Sequence, residues 1–316
     1  MTTTASAQTA TSKRAKRDFV TLADWDQRAL EEVLQESIRL KAELKKSGPS
    51  DRLKGRTLAM IFHKPSLRTR VSFEVAMTQL GGASIFITDR EIGIDSREAV
   101  GDVAKVLSGY VDAIMIRTFR HDLVRGLATE ASIPVVNGLD DRYHPCQILA
   151  DLLTVRELGM DFQNLPVAWF GDGNNVAHSW LEAAAIFGLD LRLAVPAGYE
   201  PDREVEQWAR AGKGKITITH DPLAAAAGAR VLYTDVWASM GQESEAEGRR
   251  QVFRPFQVNS ALLERAHPSA VVMHCLPAHR GEEISAEVID GPRSVVFHQA
   301  ENRLHAQKGL LAALLA

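Results

Sequence analysis

The chain contains 316 residues, of which 45% are hydrophobic and 24% charged, and its formal net charge is -3. A soluble protein of that length buries roughly 75% of its unfolded surface and divides around two cores, and the balanced charge gives no hint of a nucleic-acid or membrane-surface partner. Cys146 and Cys275 are too few for a disulfide framework and point to a reducing compartment, and no run approaches the roughly 18 apolar residues of a membrane span.

Residues 1–17, "MTTTASAQTATSKRAKR", contain no acid and end in a cluster of cations. They read as a disordered, solvated tail, with a transit-like segment as the alternative. Beyond the tail, short apolar runs alternate with stretches of helical period. "TLAMIF", "DAIMIRT", "IPVVN", "PVAWFG", "LRLAVP", "ARVLYTDV" and "AVVMHCL" have the Val, Ile and Leu content of buried strands, and Arg68 to Leu80 and Ser179 to Phe187 carry apolar residues three and four apart. That alternation predicts an α/β protein of mainly parallel sheets flanked by helices. The helical run "ILADLLTVRELGMDF", residues 148–162, separates two strand-helix series. It places a domain division near residue 150, giving domains over 18–150 and 151–300. The closing stretch, about residues 301–316, predicts a helix that packs back on the first domain.

Polar clusters follow four of the predicted strands: "HKPSLRTR" after "TLAMIF", "GDGNN" after "PVAWF", "DVWASMG" after "ARVLYT" and "HCLP" after "AVVM". Ligands bind at the carboxyl ends of strands in open α/β sheets, so four such clusters predict one shared cleft. In the first, Ser66, Arg68 and Thr69 at a strand-to-helix turn suit a phosphate, through helix N–H groups and a guanidinium fork; a capped helix with surface arginines is the plainer alternative. Arg70, two residues beyond Arg68, reads as structural. His144 precedes Pro145 at a helix start, with Gln147 in the same turn, so an imidazole and an amide could share a carbonyl and its amide, unless His144 is simply structural. Between them, Cys146 reads as a small buried hydrophobe.

"GDGNN" shares the Gly171 and Gly173 spacing of a dinucleotide fingerprint, but Val176 stands at the third glycine position and Pro196 where a ribose-binding acid is expected. What remains is Asn174 and Asn175 at a helix start, suited to a carboxylate or to capping. Asp235 at a strand end could pair with an ammonium group under a loop containing Ser239, Met240 and Gly241. For Cys275 a metal site is disfavoured, because adjacent strand residues face opposite ways and no second ligand pair exists. A nucleophilic role stays open, since its partner would be distant in the chain.

In order and spacing these strings resemble the carbamoyltransferase family, in its ornithine-using branch, from about Phe19 to the C-terminus. "SLRTR" is similar to the family's SxRTR signature, "HPCQ" to HPxQ, "HCLP" to HCLP and "DVWASMGQE" to DxWxSMG, with "GDGNN" and "AENR" in the matching places. The resemblance implies a carbamoyl-phosphate domain that includes the terminal helix, an ornithine domain, and a cytoplasmic homotrimer with active sites between subunits. It implies carbamoyl phosphate and L-ornithine as partners, no cofactor and no metal. The implied phosphate and carbamoyl contacts are Ser66, Leu67, Arg68, Thr69, Arg117, His144, Gln147, Cys275, Leu276 and Arg303. For ornithine they are Asn175, Asp235, Ser239 and Met240. Arg68, Arg117, His144 and Cys275 are the implied catalytic group. Family members also take a residue from a neighbour's loop after the strand "SIFIT"; Arg90 or Arg97 stands there in this sequence. A cis bond between Leu276 and Pro277 is implied as well. The reaction would be direct attack of the ornithine side-chain amine on carbamoyl phosphate. A carbamoyltransferase for another amine and a non-catalytic binder on the same scaffold are the rival readings.

Overall fold

The computed structural model describes residues 16–94, 96–238 and 246–316. In the first half lie α1 (Gln27–Ser47), β1 (Thr57–Phe62), α2 (Leu67–Gln79), β2 (Ala83–Thr88), α3 (Asp89–Ile92), α4 (Val100–Tyr110), β3 (Ala113–Arg117), α5 (His121–Glu130), β4 (Val135–Leu139) and α6 (Pro145–Glu157). In the second lie β5 (Pro166–Phe170), α7 (Asn175–Phe187), β6 (Asp190–Ala194), α8 (Arg203–Arg210), β7 (Lys215–Thr219), α9 (Pro222–Ala226), β8 (Val231–Thr234), α10 (Ala246–Phe253), α11 (Ser260–Arg265), β9 (Val271–His274), α12 (Ala286–Ile289) and α13 (Val296–Leu315).

The strands form two sheets, β2-β1-β3-β4 and β7-β6-β5-β8-β9, and every pairing within them is parallel. Strand alternation sends side chains into two layers. In β1, Leu58, Met60 and Phe62 join the core shared with α1, α2, α6 and α13, whereas Ala59 and Ile61 face Val103, Leu123, Val124 and Leu127 of α4 and α5. The second sheet is covered likewise: Val167, Trp169, Leu191 and Leu193 face α7, and Ala168, Phe170 and Leu232 face α9 and α11. Each fully buried aliphatic side chain contributes about 1.5–3 kcal/mol, so both faces of both sheets are hydrophobically driven. One core cluster runs through both halves by way of α6, α7 and α13. This is the expected α/β architecture of two parallel-sheet domains, with the terminal helix on the first.

Some elements depart from the sequence pattern. β7, "KITIT", is a half-exposed edge strand that alternates polar and apolar residues, so it carries no apolar run to reveal it. α6 starts at Pro145, whose fixed φ suits a first helical turn, and stops at Glu157; Met160 and Phe162, which extend the apolar period, are buried outside the helix. α13 starts at Val296, ahead of residue 301. Its Gly309 is required by packing: a Cβ there would lie 2.9 Å from the Val33 carbonyl oxygen and closer still to Ser37 Oγ on α1. Residues 1–15 of the predicted tail lie outside the described residues. Lys16 and Arg17, by contrast, belong to the fold: Lys16 Nζ donates to the Ala128 carbonyl and pairs with Asp18 at 3.1 Å, and the Arg17 guanidinium lies 3.5 Å over the Trp25 ring.

A candidate active site between the two sheets

In the first sheet, adjacent β1 and β3 lead outward in opposite directions, and in the second β5 and β8 do the same. Such switch points leave a crevice at the strands' carboxyl ends. The loop after β1 enters α2 through Ser66, an extended N-cap whose Oγ accepts the Thr69 N–H at 3.3 Å and donates to Thr69 Oγ1 at 3.1 Å. The N–H groups of Leu67 and Arg68 have no acceptor within the helix, as in any first turn, and present a partial positive charge. Arg70 points away, pairing with Glu74 at 3.0 Å and stacking 3.8 Å over Phe86.

Arg117 ends β3 where the pairing with β4 slips: Ile116 faces Asn137 but Arg117 faces Leu139. A bulge of this kind re-aims a side chain. Arg117 is only 6% exposed, its Nε has no hydrogen-bond partner among the described residues, and burial together with Arg303 and Arg68 pushes its pKa down to about 10. Arg303 reaches the same place from α13. Its Nη1 donates to Gln147 Oε1 at 2.7 Å and its Nη2 to Thr69 Oγ1 at 3.1 Å, while Nε is buried without a partner among the described residues. Burial, and then the Arg68 charge, lower the Arg303 pKa as well. Among the described residues, none of the three arginines forms an ion pair.

His144 caps α6, and its own N–H donates to Ser179 Oγ at 2.9 Å. Burial first, then Arg303, Arg117, Arg68 and Lys64, hold its pKa well below the usual imidazole range, so the ring is neutral near pH 7, with Nδ1 buried and unpartnered among the described residues.

The facing wall is anionic and internally bonded. Asp235, just past β8, accepts the Cys275 thiol at 2.8 Å and the Val236 N–H at 2.8 Å on Oδ1, and the Asn174 amide at 3.0 Å on Oδ2. Burial and the Asp235 carboxylate push the Cys275 pKa well above the ordinary thiol value, so the group is a thiol that donates, not a thiolate that attacks. Leu276 has φ 56 and its bond to Pro277 is cis. The Leu276 N–H donates to His274 Nδ1 at 2.8 Å, which puts the ring proton on Nε2, 3.2 Å from Glu283 Oε1. β9 stops at His274, so strand alternation does not separate it from Cys275: ligand atoms of Asp235, His274 and Cys275 all lie within 4.8 Å. Both His274 nitrogens are already engaged, however.

Asn174 caps α7, accepting the Val176 and Ala177 N–H groups, and it, rather than Asn175, touches Asp235; the Asn175 amide donates to the Asp140 carbonyl at 2.6 Å. Gly173 serves packing and not a pyrophosphate. A Cβ there would lie 2.7 Å from the Tyr199 carbonyl oxygen and closer to Pro201 N, so the 199–201 loop fills the space a nucleotide would need. Ser239, Met240 and Gly241 lie outside the described residues. Arg90 and Arg97 are both exposed, in and after α3 at the β2 edge of the first sheet.

Two residues that carried no motif, Asp151 and Gln299, extend the site. Asp151, fully buried on α6, accepts the Gln147 amide at 2.9 Å and the Gln299 amide at 2.7 Å on Oδ1. Gln299 also donates to the Tyr233 hydroxyl at 3.1 Å and accepts the His274 N–H at 2.8 Å. Asp172 pairs with Arg249, which also donates to the Trp237 carbonyl and so ties α10 to the loop after β5. The spacing of four residues from Gln147 to Asp151 and from Gln299 to Arg303 is the only sequence signal for this network.

Two parallel sheets whose switch points share a crevice, with arginines that form no ion pair among the described residues on one wall and a carboxylate and thiol on the other, define an α/β protein with opposite charges across one cleft. A model of the "Aspartate/ornithine carbamoyltransferase, carbamoyl-P binding domain" matches residues 17–157, and one of the "Aspartate/ornithine carbamoyltransferase, Asp/Orn binding domain" matches residues 163–314. The chain belongs to the aspartate/ornithine carbamoyltransferase family. It is 52% identical over 311 residues to an ornithine carbamoyltransferase of Anoxybacillus flavithermus, covering 97% of this chain and 99% of the relative. It is 51% identical to that of Bacillus subtilis, covering 95% and 94% of the two chains. Among solved structures, the ornithine carbamoyltransferase of Pyrococcus furiosus superimposes with a TM-score of 0.92 at 50% identity, covering 95% of this chain and 97% of the other.

Proposed function

We propose that this protein transfers the carbamoyl group of carbamoyl phosphate to the side-chain amine of L-ornithine, giving L-citrulline and phosphate. The observation that carries the reading is the convergence of Arg68, Arg117 and Arg303, without an ion-pair partner among the described residues, on the N-terminus of α2 and a neutral His144. Buried cations without counter-charge are costly and call for an anion, and a phosphate dianion with a carbonyl beside it fits. Ser66, Leu67, Arg68, Thr69 and Arg117 hold the phosphate. Thr69, Arg303 and the neutral His144 act as donors towards the carbonyl oxygen as it gains charge. Gln147 and the backbone about Leu276 take the carbamoyl amide. Asp235 receives the ornithine α-ammonium, with Asn175, Ser239 and Met240 around the amino acid and Cys275 at the junction.

The neutral amine adds to the carbonyl carbon, the tetrahedral oxyanion collapses, the C–O bond to phosphate breaks, and the amine's surplus proton leaves with phosphate. No covalent enzyme intermediate is needed, which agrees with a Cys275 held as a thiol. Free thiols at Cys146 and Cys275 fit the reducing cytoplasm, where we place the protein. No described helix is long and apolar enough to cross a membrane.

The assembly is a homotrimer in this reading. Leu67 is 75% exposed and Val71 and Ile85 nearly half exposed on the α2 and β2 side of the first sheet, beside the loop that carries Arg90 and Arg97. An apolar patch continuous with the phosphate cradle fits a neighbouring copy that supplies one of those arginines. The test is purified protein with carbamoyl phosphate and L-ornithine, L-aspartate, putrescine or N-acetylornithine in turn. Citrulline from ornithine is expected; another carbamoylated amine, or none, overturns the reading. Light scattering that reports a single-chain mass overturns the trimer.

A further inference from the structure

We infer that Asp151 is a positioning residue for the transfer, the one acceptor that fixes the amide orientation of both Gln147 and Gln299 and thereby joins the two walls of the cleft. This inference rests on the reaction proposed above. Neither Asp151 nor Gln299 touches the reacting atoms in that reaction, and neither belongs to a sequence signature.

The geometry is specific. A carboxylate is an acceptor only, a guanidinium a donor only, and an amide one of each. Gln147 stands between the first two: its Nε2 donates to Asp151 Oδ1 at 2.9 Å and its Oε1 accepts Arg303 Nη1 at 2.7 Å. A flipped amide would set a donor against Arg303 and an acceptor against Asp151, so one orientation is enforced. Gln299 is held in the same way. Its Nε2 donates to Asp151 at 2.7 Å and to the Tyr233 hydroxyl, and its Oε1 accepts the N–H of His274, the last residue of β9. A chain of contacts therefore runs from Thr69 and Arg303 through Gln147, Asp151 and Gln299 to His274, beside Cys275 and Leu276. Its members come from the helices α2, α13 and α6 and from β9 of the second sheet.

The network should respond to pH. The titratable or charged groups that face Asp151 are Arg303 from α13, Tyr233 from β8 and Cys275 after β9; burial raises the Asp151 pKa to about 7 against the amide, hydroxyl and Arg303 contributions that lower it. Protonation, on the Oδ2 that has no hydrogen-bond partner among the described residues, removes the charge that opposes Arg303 and weakens Oδ1 as the acceptor of both amides. Turnover then gains an acid limb near neutrality, separate from the amine's own ionisation.

The test compares the full-length protein with Asp151→Asn, which keeps size and the acceptor that both amides share but removes the negative charge that holds them. We expect kcat for citrulline to fall about 10- to 100-fold, KM for ornithine to change less than about threefold, the acid limb near pH 7 to disappear, and the thermal midpoint to hold or rise. Paired with Gln299→Met, the double variant should lose little more than the worse single variant, as for two members of one network. An active parent matched by Asp151→Asn in kcat and pH profile overturns the positioning role. So does a loss of turnover that only tracks a fall in the thermal midpoint. If Asp151→Asn does not fold, Gln299→Met alone decides: unchanged kcat overturns the role. A parent that makes no citrulline overturns the proposed function instead, which keeps the two failures apart.

Discussion

The two walls of the cleft are built on opposite principles. On the first-sheet side, Arg117 Nε, Arg303 Nε and His144 Nδ1 are buried with no partner among the described residues, and burial and the Arg68 charge lower the pKa of both Arg117 and Arg303. On the second-sheet side, Asp235 is bonded on both oxygens, to Cys275, Val236 and Asn174. One wall holds cations that form no ion pair among the described residues and that an incoming anion would satisfy; the other is self-satisfied and must exchange internal bonds for substrate bonds. The contrast teaches that affinity should concentrate on the anion side, and that stability and activity should trade against each other there and not on the acid side.

The most severe way to break that contrast is Arg117→Met. Loss of a cation aimed at the phosphate and the developing oxyanion should reduce kcat/KM for carbamoyl phosphate by about 100- to 1,000-fold. Removing an unpaired buried charge should at the same time raise the thermal midpoint of the ligand-free protein. Steady-state kinetics and a melting curve check both; a lower midpoint would remove the distinction between the walls.

Asp235→Asn sharpens it from the other side. A charge-assisted bond to the α-ammonium is worth about 1.5–3 kcal/mol, so KM for ornithine should rise roughly 10- to 100-fold. Carbamoyl-phosphate affinity, measured by calorimetry, should stay within about twofold. Equal losses for both ligands would show that the walls do not act separately.

The pH profile and Cys275 give smaller effects. The ornithine side-chain amine has an ordinary pKa of about 10.4, and nearby cations disfavour its ammonium form, so turnover should rise from neutral pH towards about pH 8–9. A flat profile contradicts amine attack. With its thiol proton held against Asp235, Cys275→Ser should keep measurable turnover while weakening ornithine use, and complete loss in a folded protein would bring back the nucleophile.

The last expectation concerns stability alone. Glu182 on α7 is fully buried, accepts the Leu22 N–H at 3.0 Å, and burial pushes its pKa up to about 8. The folded state therefore keeps a proton that the unfolded chain has lost. The associated stability is present in acid, falls as pH rises from the ordinary carboxylate range, and is gone above about pH 8. Glu182→Gln should flatten that fall in chemical denaturation and raise stability at pH 8 by a few kcal/mol, on the order of 1.4 per unit of pKa displacement. Activity should change little.

Much of this was legible in the chain itself because it depends on neighbours in sequence. Apolar runs marked the central strands, helical spacing and the Ser66 cap marked α2, and Pro145 marked the start of α6. The polar clusters stand at strand ends, so Arg68, Asp235 and Cys275 fall in one cleft on the sequence alone, whereas Arg117 and His144 join them only through the family resemblance. What those residues do to one another was not legible. The slip that turns Arg117 inward depends on the register of β3 against β4; the thiol-to-carboxylate bond joins residues 40 apart; and Asp151 meets Gln299 across 148 residues. Gln299 was hidden further because "VFHQ", with its β-branched and aromatic residues, does not announce the first turn of α13. Local pattern determines where a strand ends and what it presents there. Only the tertiary structure decides which buried donor meets which acceptor, because that pairing is set by how two sheets and a returning helix close around the same water-poor space.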